Sequence, residues 1–434
     1  MEILIKALQL IMSLSILVIL HELGHFIPAK IFKTRVEKFY LFFDPWFSLF
    51  KIKIKDTEYG IGWLPLGGYV KISGMIDESM DKEQMKLPPQ PHEFRSKPAW
   101  QRLIIMLGGV SVNVLLAIVI YIVMLAAWGE DYIPIENVKY GIACDSIAIE
   151  AGLKNGDKII SIDNKKIHDF RRVVPEIVLY GQNSLVIERN GIQSNFIISD
   201  TLISKIISTK GFITPRFPFF IDYIDTSSVA KKSGFKKDDK IIGINDKNIE
   251  FFDEFKNEIV KYKETEAQIK IVRLNDTLIL NVNVPVTGIL GIIPKDMLFA
   301  HINYSLLQAI PAGALKGYNT VRDYLAQFKL FFRPKTGAYK SLGGFGAIGN
   351  LFPAQWDWIS FWSLTAFLSI ILAVMNVLPI PALDGGHVLF LLYEIIARRK
   401  PNEKFMEYAQ YVGMILLLGL LVYANGNDIF KLFK

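Results

Sequence analysis

Four long apolar segments limit what this chain can fold into. A helix needs about 20 mostly apolar residues to cross the hydrocarbon core of a bilayer. Segments of this kind occupy residues 7–29, 103–128 and 358–378, and a shorter one occupies residues 409–424. We therefore predict a polytopic α-helical membrane protein with about four transmembrane helices and with the lipid bilayer as its surroundings.

The remaining composition indicates that folded domains accompany these spans. The 434 residues are 51% hydrophobic and 21% charged, with a net charge of +7, which is too apolar for an ordinary soluble protein and too charged for a simple helical bundle. The single cysteine, Cys144, excludes an internal disulfide and a metal site of several cysteines. No basic run is interleaved with aromatic residues, so we expect no nucleic-acid partner.

The charges that flank the spans predict their orientation. Lys and Arg are frequent in residues 30–55 and 398–404, whereas the flank after the second span contains Glu130, Asp131 and Glu136. Cytoplasmic flanks carry the excess of Lys and Arg. The sequence therefore predicts that the segments 30–102 and 383–408 are cytoplasmic and that the segment 129–357 lies outside.

Two further segments lie close to the predicted membrane. Residues 57–72 are glycine-rich and alternate in polarity, which favours short β-structure near the bilayer over a helix, and residues 77–97 read as a polar loop. Residues 299–333 carry scattered apolar positions among charges, with Pro311 and Gly313 inside. This pattern indicates a pair of interfacial amphipathic helices rather than a fifth span.

The outer region contains an internal repeat. Residues 146–170 align without gaps with residues 228–252, at an offset of 82, and 12 of the 25 positions are identical, which indicates two copies of one module. Each copy predicts a short helix that ends at Gly, then a strand, then a tight Asp/Asn turn. The pattern resembles the PDZ domain, although Asn164 and Asp246 precede Lys where that family usually turns at Gly.

The first span contains the chemically informative motif, His21-Glu22-Leu23-Gly24-His25. On a helix, two histidines four residues apart lie on one face and can bind one metal ion, and the intervening glutamate can take a proton from water. A charged residue near the centre of a span costs roughly 2.5–3.5 kcal/mol, so an intramembrane carboxylate is a functional hypothesis by default. The sequence therefore predicts a metal site with Glu22 as general base.

Asp384 is the candidate for a third ligand. It follows the third span, after Pro379 and Pro381 end the helix, and Gly385 and Gly386 permit close approach of the backbone. A divalent cation would offset the charge of this carboxylate, so a nearly neutral cluster could exist inside a membrane. His387 is an alternative fourth ligand, but a catalytic zinc keeps its fourth position for water.

Taken together, these motifs resemble the site-2 protease family of intramembrane zinc metalloproteases, and specifically its bacterial regulator-of-sigma-E-protease type with tandem PDZ domains. The resemblance rests on HELGH in the first span, PLGGYVK at 65–71, the two PDZ-like repeats, and NVLPIPALDGGH at 376–387. In the second span the family's G-P-x-x-N pattern is GVSVN at 109–113, which retains Asn113, and the family's S-G-P is LGGFGAIG at 342–349. We interpret both departures as packing features.

The resemblance implies a division of the chain and roles for its residues. It implies Zn²⁺ as the cofactor, His21, His25 and Asp384 as its ligands, Glu22 as general base, and Asn376 as a substrate-positioning or oxyanion group. We assign Gly67, Gly68 and Tyr69 to substrate positioning as well, because the strand-like region 60–72 could pair with an unwound substrate; a purely structural hairpin is the alternative. The expected segments are 1–30 (first span), 31–98 (cytoplasmic membrane-associated β-region and loop), 99–128 (second span), 129–210 and 211–290 (PDZ-like domains), 291–357 (interfacial helices), 358–388 (third span), 389–408 (cytoplasmic loop) and 409–434 (fourth span).

The implied function is cleavage of single-span membrane proteins within or near the bilayer, as in regulated intramembrane proteolysis of anti-sigma factors or of remnant signal peptides. The implied location is the bacterial cytoplasmic (inner) membrane, with the PDZ-like domains on the outer, periplasmic side and the active site toward the cytoplasm. Two alternatives remain open at this point. One is a membrane-tethered PDZ scaffold with a structural metal site, and the other is a metal transporter with ligands at membrane depth.

Overall fold

The structure, a computed structural model, describes residues 1–65, 67–75, 88–209, 211–295, 298–331 and 343–432. The described residues form two compact units. Unit 1 contains residues 1–129, 303–325 and 343–432, and unit 2 contains residues 130–302 and 326–331. Residues 77–87 of the predicted polar loop lie outside the described residues, as does Leu342 of the glycine-rich segment.

The helices and strands of the described residues are numbered here in chain order. The α-helices are α1 (Glu2–Ile31), α2 (Ala99–Trp128), α3 (Ser146–Glu150), α4 (Val173–Tyr180), α5 (Asp200–Thr209), α6 (Val229–Lys232), α7 (Phe252–Ile259), α8 (Leu306–Phe331), α9 (Phe345–Gly349), α10 (Trp358–Val377), α11 (Asp384–Ala397) and α12 (Glu403–Leu432). The strands are β1 (Val36–Leu41), β2 (Phe43–Ile54), β3 (Thr57–Leu64), β4 (Tyr69–Ile72), β5 (Glu130–Tyr132), β6 (Ile142–Cys144), β7 (Lys158–Ile162), β8 (Ser184–Arg189), β9 (Ile192–Ile197), β10 (Ile213–Pro215), β11 (Ile221–Ile224), β12 (Lys240–Ile244), β13 (Lys247–Asn248), β14 (Glu266–Arg273), β15 (Asp276–Asn283), β16 (Ile292–Pro294) and β17 (Ala300–Ile302).

Unit 1 contains four helices that are long and apolar enough to cross a membrane, counted over the described parts of the chain: α1, α2, α10 and α12. The predicted number of spans is therefore confirmed. Helix α2 packs against both α1 and α10, and its Ala117 and Ile120 form a buried cluster with Ile370. The fourth span is longer than the predicted 16-residue segment 409–424, because α12 continues through polar residues at both ends.

The β-region between the first two spans is a four-stranded sheet of order β2-β3-β1-β4. Strand β1 pairs in parallel with β3 and antiparallel with β4. Strand β4 is therefore at an edge of the sheet, and Phe39 lies opposite Val70 in the register. The β-structure expected over residues 57–72 is present, and the outer edge of its last strand has no partner strand among the described residues.

The segment expected to form a pair of interfacial helices contains one continuous helix, α8, so the prediction of two helices across residues 299–333 was wrong. Pro311 lies in its second turn and does not interrupt it. The side-chain-free faces of Gly313 and Gly317 lie against Ile122 and Ile118 of α2. This close packing of small residues against a neighbouring helix stabilises the helical path that Pro311 and the glycines disfavour.

Unit 2 contains two modules with the same order and pairing of elements. The first runs β6-α3-β7-α4-β8-β9-α5-β10, and the second runs β11-α6-β12-β13-α7-β14-β15-β16, so each copy adds one element, α5 or β13, to the shared order. In each module the first and last strands pair antiparallel, and the middle strands form a separate sheet. The predicted helix-turn-strand order is present in both copies, with Gly152 at φ +89° and Gly234 at φ +86° after the short helix.

The repeated aspartates have the same structural role in both modules. Asp157 is 1% exposed and accepts two hydrogen bonds from Arg189, both at 2.7 Å, and Asp239 accepts the same pair from Arg273. Each aspartate also accepts the backbone N–H three residues before it. A buried carboxylate needs such partners, which explains why both copies retain the residue.

The last strand of each module, here called its closing strand, extends beyond the end that the sequence predicted for that module. Strand β10 reaches Pro215 and β16 reaches Pro294, whereas the sequence placed the ends at 210 and 290. The physical reason is that each closing strand pairs with the first strand of its own module, a long-range contact that local pattern does not reveal.

Candidate metal centre and catalytic site

Two histidines and one aspartate meet in unit 1. Helix α1 carries His21 and His25 one turn apart, and their Nε2 atoms are 3.2 Å from each other. Asp384 is the first residue of α11, and its Oδ2 lies 3.3 Å from each Nε2 atom. Ligands at about 2.0–2.2 Å from zinc in a tetrahedral arrangement lie about 3.3 Å from one another. The triangle of donor atoms therefore has the dimensions of one face of a tetrahedral zinc site.

The donor atoms also have the environment that a metal ion requires. Oδ2 of Asp384 is buried and has no hydrogen-bond partner among the described residues, and an unpaired buried carboxylate oxygen is costly. Within the described ranges, no other group of three or more His, Cys, Asp or Glu side chains is placed to hold a metal. The donor set of two imidazoles and one carboxylate suits zinc and leaves one tetrahedral position open.

The hydrogen bonds behind the imidazoles orient them. The Nδ1–H of His25 donates to the carbonyl oxygen of Ile105, at 2.8 Å, so in the neutral imidazole Nε2 carries no proton and can bind a metal. Nδ1 of His21 lies 3.1 Å from the side-chain amide of Asn113. Both partners are on α2, and neither was identified as a site residue from the sequence.

Glycines allow α1 to approach α2 at this level. A Cβ at Gly24 would overlap the carbonyl oxygen of Gly108, and a Cβ at Gly109 would overlap the imidazole of His25. Because neither overlap could be relieved without moving a backbone or a ligand, these glycines determine how closely the imidazoles lie to α2. The sequence signal for the contact between Asn113 and His21 was the presence of an amide within the uncharged second span.

Asp384 reaches the histidines because the chain turns sharply before it. Helix α10 ends at Val377, residues 378–383 form a loop with Ala382 at φ +80°, and α11 begins at Asp384. A Cβ at Gly385 would overlap the carbonyl oxygen of Leu378. The predicted third span, 358–388, is therefore a helix, a loop and the first turn of a second helix, because Pro379 and Pro381 cannot continue α10.

Glu22 lies beside the donor triangle and lines a cavity of about 760 Å³. Val70, in β4, lines the same cavity as Glu22. Gly67, Gly68 and Tyr69 line the same cavity, and a Cβ at Gly68 would lie 3.5 Å from Cγ of Glu22 but would crowd Val18 and the carbonyl of Tyr40. The edge strand of the sheet therefore borders the candidate base.

The remaining sequence-predicted residues are close by. Asn376 lines the cavity, and its Nδ2 is 3.4 Å from Nε2 of His21. His387 also lines the cavity, but its Nε2 lies 3.1 Å from the Gln410 amide and outside the donor triangle. The structure therefore gives no support to His387 as a fourth ligand.

The Tyr69 side chain is held by the sheet. Its hydroxyl donates a 2.8 Å hydrogen bond to Oδ1 of Asp44, and its ring stacks on those of Tyr40 and Phe43. Burial, together with the Asp44 carboxylate, raises the pKa of Tyr69, so its hydroxyl remains a donor. What Tyr69 offers to the cavity is therefore its position on an open strand edge rather than an ionisable group.

Comparison with known proteins identifies relatives along the whole chain. A sequence model of peptidase family M50 matches residues 9–420. A protein of Fusobacterium nucleatum named as a zinc metalloprotease is 28% identical over 98% of both chains, and one of Campylobacter jejuni with the same kind of name is 28% identical over 99% of this chain and 94% of its own. Metalloprotease MmpA of Caulobacter vibrioides is 25% identical over 98% of this chain and 96% of its own.

Proposed function

Because the chain belongs to peptidase family M50, the site-2 protease family of zinc metalloproteases, we propose that it cleaves single-span membrane proteins within or near the bilayer. Its zinc metalloprotease activity follows from the family and from the names of its relatives. Proteolysis at membrane depth is the further step. Its main support is the position of the site. His21, Glu22 and His25 belong to α1, a helix long and apolar enough to cross a membrane, and Asp384 lies against them.

We assign the zinc ligands to His21, His25 and Asp384. The chemistry supplied by zinc in such a site is activation of a water molecule and polarisation of the scissile carbonyl. The carboxylate of Glu22 would accept the proton of the attacking water and deliver it to the nitrogen of the leaving amine. Nδ2 of Asn376 would donate a hydrogen bond to the carbonyl oxygen as negative charge develops on it.

The β-region would receive the substrate. A helical substrate hides its amide groups in its own hydrogen bonds, so it must unwind before cleavage. The open edge of β4 could supply main-chain hydrogen bonds to the unwound segment, and Gly67 and Gly68, directly before this strand, line the cavity. The alternative, a purely structural sheet, is less consistent with an edge strand that borders Glu22.

We place the protein in the bacterial cytoplasmic membrane, with the HELGH end of α1 toward the cytoplasm. Lys30, Lys33 and Arg35 follow that end directly, and cytoplasmic flanks carry such residues. The two modules would then be on the outer side, as PDZ-like domains. The corresponding substrates are single-span proteins, such as anti-sigma factors trimmed on the outer side or remnant signal peptides.

A membrane-tethered scaffold with a structural metal site is the alternative function. It would account for the two modules but needs no general base, whereas Glu22 lines the cavity beside the donor triangle. A structural zinc site is also closed by four protein ligands as a rule, and the cluster has three.

Substitution of Glu22 tests the proposal. Glu22→Gln keeps the side-chain volume and leaves the three ligands in place, so we expect normal zinc content and loss of cleavage of a single-span substrate in proteoliposomes. Glu2→Gln, at the exposed far end of the same helix, is the matched control and should cleave as the wild type does. Appreciable cleavage by Glu22→Gln would refute the role of Glu22. Natural substrates are then the single-span proteins that accumulate in membranes of cells with the inactive variant.

A further inference from the structure

Asn113 is an amide buried in the middle of a membrane-spanning helix. It lies in the interior of α2, and its exposed fraction is 0%. Burial of an amide without hydrogen-bond partners costs several kcal/mol in an apolar medium. An amide at this position therefore needs an explanation, which helix packing alone does not provide.

The side chain of Asn113 contacts one of the proposed zinc ligands. Its amide lies 3.1 Å from Nδ1 of His21, and with Nδ2 as the contacting atom, Oδ1 is buried without a partner among the described residues. The oxygen and nitrogen of an amide have nearly the same shape, so the hydrogen-bond network has to decide which one faces the ring.

The position of the other ring nitrogen decides the orientation of the amide. Nε2 of His21 lies in the donor triangle, 3.2 Å from Nε2 of His25 and 3.3 Å from Oδ2 of Asp384. A neutral imidazole that binds a metal through Nε2 carries its hydrogen on Nδ1. That hydrogen needs an acceptor, as the equivalent hydrogen of His25 has in the Ile105 carbonyl. For His21, the group within hydrogen-bond distance of Nδ1 is the Asn113 side chain.

We propose that Asn113 is a positioning residue: Oδ1 of Asn113 accepts the Nδ1 hydrogen of His21 and so presents Nε2 of that ring to zinc. The proposal rests on the ligand set of the proposed function. Asn113 is itself held by α10, because the hydroxyl of Ser369 donates a 2.7 Å hydrogen bond to its main-chain carbonyl. Asn113 thereby contacts α1 through its side chain and α10 through its main-chain carbonyl.

Zinc affinity of the purified, full-length protein tests the proposal. Asn113→Leu removes the acceptor and keeps the number and branching of the side-chain heavy atoms, and loss of such a partner typically weakens metal binding about 10–100-fold. Asn113→Asp keeps an acceptor for the same hydrogen and should bind zinc within a few-fold of the wild type. Thr365→Val is the matched control: it removes the equally buried hydrogen bond from Thr365 to Ser13 between α10 and α1, which contacts no proposed ligand, and should leave zinc affinity unchanged.

The outcomes separate this proposal from the function on which it rests. Unchanged zinc affinity in Asp384→Asn would refute the ligand set. If Asp384→Asn loses zinc while Asn113→Leu binds it as the wild type does, or if Asn113→Asp is as weak as Asn113→Leu, the role of Asn113 is refuted and the ligand set stands. Should Asn113→Leu fail to fold, ¹⁵N-histidine NMR of the zinc-loaded wild type decides: a protonated Nδ1 on His21 supports the proposal, and an unprotonated one overturns it.

Discussion

Single residues of the site are buried polar groups, and each depends on a partner from another part of the chain. His25 depends on the Ile105 carbonyl, 80 positions away, and Asp384 on the two histidines more than 350 positions away. A carboxylate that is buried beside a metal contributes to metal binding through its charge as well as through its lone pair. The loss of zinc affinity when the Asp384 carboxylate is replaced by a neutral amide of the same shape is therefore a sharp measure of its role.

We expect Asp384→Asn to weaken zinc binding by more than about 100-fold, beyond the 10–100-fold that is typical for loss of an outer partner of a ligand. A neutral amide is a poorer zinc ligand and leaves the site more positive. Elemental analysis of the purified protein at limiting zinc measures the effect. The control is Glu394→Gln. It removes a carboxylate on the same helix that pairs with Arg102 outside the cavity, and this variant should retain zinc. Normal zinc content in Asp384→Asn would show that Asp384 is not a ligand.

A second residue-scale prediction concerns the single cysteine, in unit 2. Burial of the thiol, together with Asp157 and Asp145, raises the pKa of Cys144 to about 12. The thiolate is the reactive form, and an ordinary cysteine has a pKa of about 8.5, so the thiolate population at pH 8 should be about 10³-fold lower in the folded protein. We expect slow alkylation by iodoacetamide at pH 8 in the native state and rapid alkylation in guanidinium. Equal rates in the two states would show that the thiol is not protected.

At the scale of elements, the site depends on the crossing of α1 and α2. The two helices touch backbone to backbone at Gly24 and Gly108, and the imidazoles lie against Gly109. Glycines at such crossings allow helices to approach closely. The spacing of the histidines within α1 is a local property, but their distance from Ile105 and Asn113 is set by this crossing.

Gly24→Ala should therefore destabilise the protein by about 1–3 kcal/mol, the usual cost of overpacking, and lower its zinc content. Gly419→Ala is the matched control in another apolar helix, because a Cβ there meets nothing within 4 Å. It should be neutral or stabilising by up to about 1 kcal/mol, since alanine is the better helix former. The measurements are the melting temperature and the zinc content of both variants in the same detergent. Equal values for the two variants would contradict the conclusion that the crossing of α1 and α2 determines the geometry of the site.

At the scale of the whole molecule, the three proposed ligands and Glu22 all belong to unit 1, and both modules belong to unit 2. The two modules lie between β5 and β17 in the chain, and these two strands pair with Tyr132 opposite Ala300. The two modules could therefore be removed at a point where the flanking strands are already adjacent.

We expect excision of residues 133–299, with Tyr132 joined to Ala300 by an Asn-Gly turn that suits a two-residue hairpin, to leave zinc content and cleavage of a trimmed substrate intact. If the modules act as a size filter for substrates, the excised enzyme should also cleave an untrimmed substrate that the wild type rejects. The same excision in the Glu22→Gln background controls for other proteases in cells. Loss of trimmed-substrate cleavage with zinc retained would show that the modules recruit substrate instead.

The sequence by itself determined the features that depend on local spacing or on internal identity. Four apolar segments predicted four spanning helices, the i, i+4 spacing put His21 and His25 on one face, and the gapless 25-residue match predicted two modules. The prolines before Asp384 predicted a break after the third span. The helical period, the length of an apolar segment and the conformational limits of proline are properties of short stretches of chain. Each of these features could therefore be derived without a tertiary structure.

Only the tertiary structure decided which distant groups meet. The close approach of Gly24 to Gly108 places Asn113 against His21, the parallel pairing of β1 with β3 leaves β4 as the open edge beside Glu22, and packing on Ile118 and Ile122 keeps α8 continuous through Pro311. Each depends on contacts between residues tens to hundreds of positions apart. Local pattern carries no information about such contacts, because the free energy that selects them comes from burial and close packing of the whole unit rather than from the segment that makes them.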